Sequence, residues 1–507
     1  MSDHHDENEH REPSMDDLWA QATEENEPLV RTEALIEIAR RRRVEGEFWA
    51  SIGAAQSALD IFEGLHNQEQ VGFSHMHIGR CYQQLKEYDD ALESFSKAGE
   101  CFQAVADDAN RGDALRALGD TYEALGKPDE AALVRRNAIE MLASAESFTR
   151  AGIAALDLGE SLGREGRQTE ALEVFEQAEQ YFQKVEDLIG VVRANDRKAA
   201  AMIDLNQMDD AIASLWNALI TASYIEDEER TRWARYRLGW TMVTVGDYVN
   251  ALEMLDQAVA DYKAVKNFAV AALCDLQRAH AFNAMGQLDK ASQLYREVRT
   301  VFQGTNNLND ALLALVNIGE NQTRAGNLLD SENTFAKCLE EAVKLEDEWL
   351  ERSVRVRYAE VELFLNKPTE ALEMLEGASP EEWGDDVTEK ARHFNVLAKA
   401  LIAAGRAQDA KSHLEKVLDL NLNQSLPYEA AKAYEMMAAV VADVSDEESN
   451  QLLAQAIALY LASGQDALAR ELSKRFVPSD NSQAVQMLNR VFSQTQAEEP
   501  AATDTPE

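Results

Sequence analysis

One spacing governs this chain: small residues recur every forty positions. Stepping by forty from Ala91 lands on Ala131, Ala171, Ala211, Ala251, Ala291, Ser331 and Ala371, and then on Ala410 after one lost residue. Twelve positions earlier a second small column holds Ala39, Gly79, Gly119, Gly159, Ala199, Gly239, Ala279, Gly319, Ala359, Ala398 and Ala438. Seven positions later a third holds Ala58, Ala98, Ala138, Ala178, Ala218, Ala258, Val298, Cys338, Ala378 and Val417. Such a period makes the chain a repeat array, in which each unit buries its apolar face against the next. Around the first small column Ile78, Tyr82 and Leu85 recur as Leu118, Tyr122 and Leu125, the stripe of a helix. Four residues after each anchor a second stripe runs through Phe95, Phe175, Leu215, Leu255, Tyr295, Phe335, Leu375 and Leu414. Five residues before the anchors stand Gly46, Gly126, Gly166, Gly246, Gly286, Gly326 and Gly405, with Asn206 and Asn366 in the same slot. These residue types accept the left-handed conformation that ends a helix. Acidic residues such as Asp89, Asp90, Asp129, Glu130, Asp209 and Asp210 follow, where they complement a helix N-terminus. Each forty-residue unit is therefore two antiparallel helices joined by a tight turn.

The string Leu118-Gly119-x-x-Tyr122, then Asp129-Glu130-Ala131, an aromatic residue or leucine four on and alanine seven on, resembles the tetratricopeptide repeat. The resemblance runs from about residue 30 to 463 and implies an all-α fold: a right-handed α-solenoid of ten to eleven antiparallel helix pairs. The period is forty rather than the family's thirty-four, and the closing proline is missing, so the helices should be longer than usual. Lys198 and Arg278 replace apolar stripe residues and Arg135 replaces an aromatic, so those units are expected to be looser. The organisation expected is an acidic disordered tail at 1–28, the array at 29–463, capping helices at 464–496 and a second acidic tail at 497–507.

Composition removes several function classes. With 49 basic against 91 acidic residues, the net charge of −42 repels phosphate backbones, which argues against nucleic-acid and anionic-membrane partners. Four cysteines form no disulfide framework, the start lacks a secretory pattern, and no run is apolar for long enough to span a bilayer; a cytoplasmic protein is expected. No phosphate-cradling, metalloprotease or hydrolase motif is present, so the chain reads as non-enzymatic, with no cofactor and no metal. Cys274 and Cys338 occupy packing columns, and His4, His5 and His10 sit on the acidic tail as spacers. The run Arg40-Arg41-Arg42-Arg43 ends a helix, where cations favour the dipole; the alternatives are self-contact with the acidic tail or a clamp on a partner.

In tetratricopeptide arrays the first helix of each pair lines the groove. One residue after the small column a ladder runs Arg40, Arg80, Asp120, Glu160, Ala200, Trp240, His280, Glu320, Glu360 and Lys399. Trp233, Tyr236, Arg237 and Trp240 share one face of one helix, preceded by Arg193 and Arg197 and followed by His280. These types dominate binding hot spots, so the seven residues form the candidate partner-binding groove, a cationic aromatic zone in an acidic molecule. The alternative is that the aromatics pack between units, although Leu238 and Met242 already supply that helix with an apolar column. No three consecutive units hold the lysine, asparagine and arginine set of the family's chaperone-tail clamp. The expected function is a protein-interaction scaffold whose partner is a protein or peptide, an acidic or amphipathic helical segment. A ligand-responsive regulator acting on a separate effector chain is the alternative.

Overall fold

The computed structural model describes residues 13–376, 379–384, 386–423, 426–442, 444–463 and 465–475. The chain divides after Tyr262 into two compact units. The first holds α1 (Met15–Glu24), α2 (Pro28–Val44), α3 (Phe48–Gly64), α4 (Gln68–Leu85), α5 (Tyr88–Ala104), α6 (Asp108–Ala124), α7 (Pro128–Ser144), α8 (Phe148–Arg164), α9 (Gln168–Lys184), α10 (Leu188–Asp204), α11 (Met208–Tyr224), α12 (Glu228–Val245) and α13 (Tyr248–Ala264), whose last two residues pass the division. The second holds α14 (Phe268–Ala284), α15 (Leu288–Gly304), α16 (Leu308–Arg324), α17 (Leu328–Leu345), α18 (Glu348–Phe364), α19 (Pro368–Glu376), a 3₁₀ turn (Pro380–Trp383), α20 (Val387–Ala403), α21 (Ala407–Asn423), α22 (Pro427–Val441), α23 (Asp446–Ala462) and α24 (Asp466–Ser473). Among the described residues there is no strand, and α2 to α23 form eleven consecutive helix pairs. The fold is an all-α helix-pair repeat.

The period of forty is twice twenty. A typical helix has seventeen residues, three more form the turn, and the next helix begins. Positive φ marks nearly every turn: His66, Lys86, Ala106, Gly126, Glu146, Gly166, Glu186 and Asn206 follow one another at twenty-residue steps. The turn at Gly126 has the helix-ending hydrogen bonds Lys127 N–H to Tyr122 O at 2.9 Å and Gly126 N–H to Glu123 O at 2.9 Å. The turn at Ala106 repeats them, with Asp107 N–H to Phe102 O at 2.9 Å and Ala106 N–H to Gln103 O at 3.1 Å. A residue with a Cβ pays about 1–2 kcal/mol for that conformation. The cost is offset one residue later by a side-chain cap: Asp107 accepts from Asn110 N–H, Asp187 from Gly190, Asp227 from Arg230 and Asp347 from Leu350. From α2 to α21 the left-handed turns inside a pair use glycine or asparagine except at Lys86; those between pairs use His66, Ala106, Glu146, Glu186, Glu226, Lys266, Asn306 and Glu346, each followed by Asp or Asn except at Ser147.

The small columns are contact points. A Cβ built on Gly79 would stand 2.7 Å from the Phe95 ring, on Gly159 2.4 Å from Phe175, on Gly239 2.6 Å from Leu255 and on Gly319 2.9 Å from Phe335. The first-helix column therefore receives the second-helix stripe within each pair. A second slot lies seven residues upstream, where Gly72, Gly112 and Gly152 face Phe102, Leu142 and Phe182. Arg135 does not loosen its pair as expected. It is 3% exposed, its stem lies against Gly119, and its Nη2 meets Asp120 Oδ1 at 2.7 Å and Glu123 Oε2 at 2.6 Å. A long side chain fills the aromatic slot and carries its charge to two carboxylates at the edge.

The ends differ from the sequence reading. Residues 13–28 are not a disordered tail: α1 starts with a Ser14–Asp17 capping box and buries Leu18 and Ala22 in one cluster with Leu35 and Ile38. Arg31 Nε donates to Ala22 O at 3.0 Å, which ties α1 to α2. Of the capping segment, α24 buries Ala469 and Leu472 against Leu453 and Tyr460; residues 476–496, like the tails at 1–12 and 497–507, lie outside the described residues.

The lost residue in the register falls between α19 and α20. There α19 is only nine residues long, and the 3₁₀ turn carries Trp383, 3% exposed, close to the register position where Phe62, Phe102, Phe182 and Phe302 stand. Trp383 Nε1 donates to His393 Nδ1 at 3.0 Å, and its ring meets Trp349 edge-on at 6.0 Å. One indole replaces the missing half-helix.

Candidate partner-binding face

The first helices of successive pairs touch one another, α8 with α10 and α10 with α12, so residues of equivalent register line a continuous face in the first unit. Leu238 and Met242 are buried as the core stripe of α12, which turns Trp233 and Tyr236 away from it. Their ring centroids lie 5.4 Å apart at a 49° tilt, and Trp233 remains 40% exposed. Trp240, one turn on, is half-buried with the Arg237 guanidinium 5.8 Å above its ring.

The arginines are not equally available. Arg237 Nη1 stands 3.6 Å from Asp196 Oδ1, and Arg197 Nε is 2.8 Å from Glu160 Oε1. Only Arg193 is exposed without an ion pair or hydrogen bond among the described residues. The expected cationic zone is thus mostly neutralised from neighbouring first helices; what stays exposed is Trp233, against the half-buried Tyr236, and one arginine. His280 belongs to the second unit, where its Nδ1 lies 3.2 Å from Tyr295 Oη and its ring packs edge-on to Tyr295 at 5.6 Å. Burial lowers its pKa from the ordinary histidine value. Six of the seven expected residues therefore share the first unit, and His280 serves its own helix pair.

The Arg40–Arg43 run splits four ways. Arg40 and Arg41 pair with Glu37, at 2.7 and 2.6 Å, and together hold its carboxyl down at about 2. Arg41 Nη1 also donates to Pro13 O at 2.7 Å, and Arg42 pairs with Glu47 at 2.5 Å. Arg43 has no partner among the described residues, and its Nε is buried.

The second unit carries a denser charge network. Arg357 Nη1 and Nη2 grip Glu389 at 2.9 and 2.7 Å, while its Nε takes Glu320 at 2.7 Å, which Arg392 also approaches at 3.3 Å. Burial opposes the guanidinium charge, but the two carboxylates outweigh it and push its pKa up. Such a network ties α16, α18 and α20 together. Burial pushes the Cys274 and Cys338 thiols up to about 12, far from a nucleophile's range. No cluster of metal-ligating side chains occurs among the described residues, and no described helix is long and apolar enough to cross a membrane.

Antiparallel helices of fixed length, locked by left-handed turns and glycine-to-aromatic contacts, define a helix-pair repeat protein. Within that class, sequence models described as tetratricopeptide repeat match residues 70–144 and 391–416, so the array carries tetratricopeptide repeats in both of its units. No curated protein matches it in sequence. Among solved structures it is similar to the apo form of the quorum sensor NprR from B. thuringiensis, at 14% identity and a TM-score of 0.49, covering 71% of this chain and 99% of that one. The apo form of RapI matches at 13% identity and a TM-score of 0.41, over 54% of this chain and 98% of its own. BtubC (BKLC) from P. vanneervenii matches at 17% identity and a TM-score of 0.38, over 42% of this chain and 91% of its own.

Proposed function

We propose that the chain is a non-catalytic, cytoplasmic interaction scaffold that holds an amphipathic helical segment of a partner protein on the first-helix face of its first unit. The observation that supports this is Trp233: a large aromatic, 40% exposed, tilted against Tyr236 on a helix whose core is already complete, with the unpaired Arg193 at the equivalent register position of α10. Aromatic rings of this kind anchor apolar residues spaced along one face of a bound helix, and Arg193 takes an acidic residue of the same segment. Arg197, Arg237 and Trp240 form the rim, held by Glu160 and Asp196.

The test is a partner isolated by affinity capture, narrowed to its binding segment and titrated against variants. Trp233→Ala should weaken binding by about 2 kcal/mol or more with little change in melting temperature. Trp240→Ala should lower both, because its ring is half-buried. Unchanged affinity for Trp233→Ala would overturn the reading.

A further inference from the structure

A second feature of the first unit lies on other helices and stands apart from the partner-binding reading. On the groove ladder every charged residue except one has an opposite charge within reach among the described residues: Arg40 has Glu37, Asp120 has Arg135, Glu160 has Arg197, Glu320 has Arg357, and Glu360 has Lys399. The exception is Arg80 on α4, exposed, with no hydrogen bond or ion pair; Asp113 acts on it only at longer range, against the like charges of Arg43 and Arg116. In a chain with nearly twice as many acids as bases, an arginine without a close ion pair at such a position is conspicuous.

Arg80 borders a cavity of about 280 Å³ between α2, α4 and α6. One wall is apolar: Ile36, Met76, and Phe73 set edge-on to Phe102 at 5.1 Å. The other wall is polar, with His77, Gln70 and Asp113. The one carboxylate there, Asp113, pairs with Arg150 rather than Arg80: Arg150 Nη1 lies 3.2 Å from Asp113 Oδ2 and also donates to Asn110 Oδ1 at 3.1 Å. His77 Nε2 is taken by Ser51 Oγ at 2.8 Å. Arg43 stands close enough for its charge to bear on both His77 and Arg80, and it too lacks a partner. The Gln70 amide is likewise free among the described residues. One guanidinium without an ion pair on the cavity wall, beside an apolar hollow, makes a half-built recognition site: charge from Arg80, aromatic surface within.

We propose that this cavity binds a small free monocarboxylate with an aromatic body, an arylalkanoate, whose carboxylate meets Arg80, with Arg43 adding to the positive field there, and whose ring lies against Phe73, Met76 and Phe102. A guanidinium fork matches a planar carboxylate through two parallel hydrogen bonds. The volume sits just under the range of about 300–1,000 Å³ typical of drug-sized sites, which favours a compact ligand. The ligand would touch three successive first helices. Because repeat units are held only by their neighbours, occupancy stiffens α2, α4 and α6 together and alters how that end of the unit meets a partner.

The experiment titrates the full chain by calorimetry with 3-phenylpropionate, with its neutral amide, and with a six-residue glycine–serine peptide ending in phenylalanine. The acid should bind saturably, and the amide about tenfold more weakly or worse. Arg80→Gln should weaken the acid by a similar factor and Arg43→Gln by a smaller one, both with unchanged helical circular dichroism, while Arg193→Gln leaves it unaltered. Hydrogen exchange should slow in α2, α4 and α6 on adding the acid. Equal binding of acid and amide, no saturable binding of the acid, or full affinity in both Arg80→Gln and Arg43→Gln would overturn the proposal. Tighter binding of the peptide than of the acid would also overturn it, by assigning the site to a protein chain end.

Discussion

Arg135 allows a sharp test of how this array tolerates charge in its core. The side chain occupies the slot that Phe95 and Phe175 fill in the pairs before and after, facing Gly119 as they face Gly79 and Gly159. Replacing it by alanine removes the stem from that slot and leaves Asp120 and Glu123 without their partner. Breaking a buried ion pair from one side costs about 3–5 kcal/mol. Here the lower end applies, because Asp120 is 44% exposed and Glu123, 21% exposed, keeps Arg164. Arg135→Ala should therefore cost about 3 kcal/mol. Arg135→Phe restores the aromatic register and frees both carboxylates to turn toward water, so it should lie within about 1 kcal/mol of the parent or exceed it. Because repeat arrays open locally, the readout is hydrogen exchange of α6 and α7 amides rather than one global melting curve. If Arg135→Phe destabilised α6 and α7 as much as Arg135→Ala, the ion pairs and not the filled slot would hold this pair together, and the reasoning would fail.

Gly159→Ala places a Cβ 2.4 Å from the Phe175 ring and should cost about 1–3 kcal/mol, seen as faster exchange confined to α8 and α9; an unchanged profile would contradict the contact. Trp383→Ala removes the indole that replaces half a helix and should cost about 3–5 kcal/mol, with proteolysis opening near residues 379–386; resistance equal to the parent would show the turn holds without it. Burial, then Arg43 and Arg80, lowers the His77 pKa to about 4, so the unfolded chain takes up the proton first. Stability of the first unit should be full above pH 6.5 and fall as pH drops toward 4, and His77→Gln should flatten that slope. His75 titrates in the same direction, so the difference between parent and variant is the measure; identical slopes would refute the assignment.

The columns were readable because they record steric contact. Gly79 and Phe95 must be small and large in register, and forty-residue spacing repeats that demand down the chain. The turns between pairs were less legible, since His66, Ala106 and Glu146 do not look like left-handed residues; the Asp/Asn column at Asn67, Asp107, Asp187 and Asp227 was the available signal. Acidic composition around Leu18 and Ala22 concealed α1, whose two buried residues matter only once α2 offers a surface. Ion pairs between successive first helices, such as Arg197 with Glu160, join residues thirty-seven positions apart, which no local pattern reveals. The same holds for the cavity at Arg80, whose lining comes from five helices.

The turns also set how such a chain can change length. Helix, turn and helix occupy the same count in nearly every cycle, and each turn closes with its own hydrogen bonds. Excising forty residues would join a first helix to an equivalent first helix without inventing a new corner. Excising twenty would join a first-helix face to a second-helix face and bring glycine slot against glycine slot. The array can therefore gain or lose reach in whole pairs, and the irregular cycle at Trp383 shows what an unpaired loss demands: a bulky residue recruited to seal the gap it leaves.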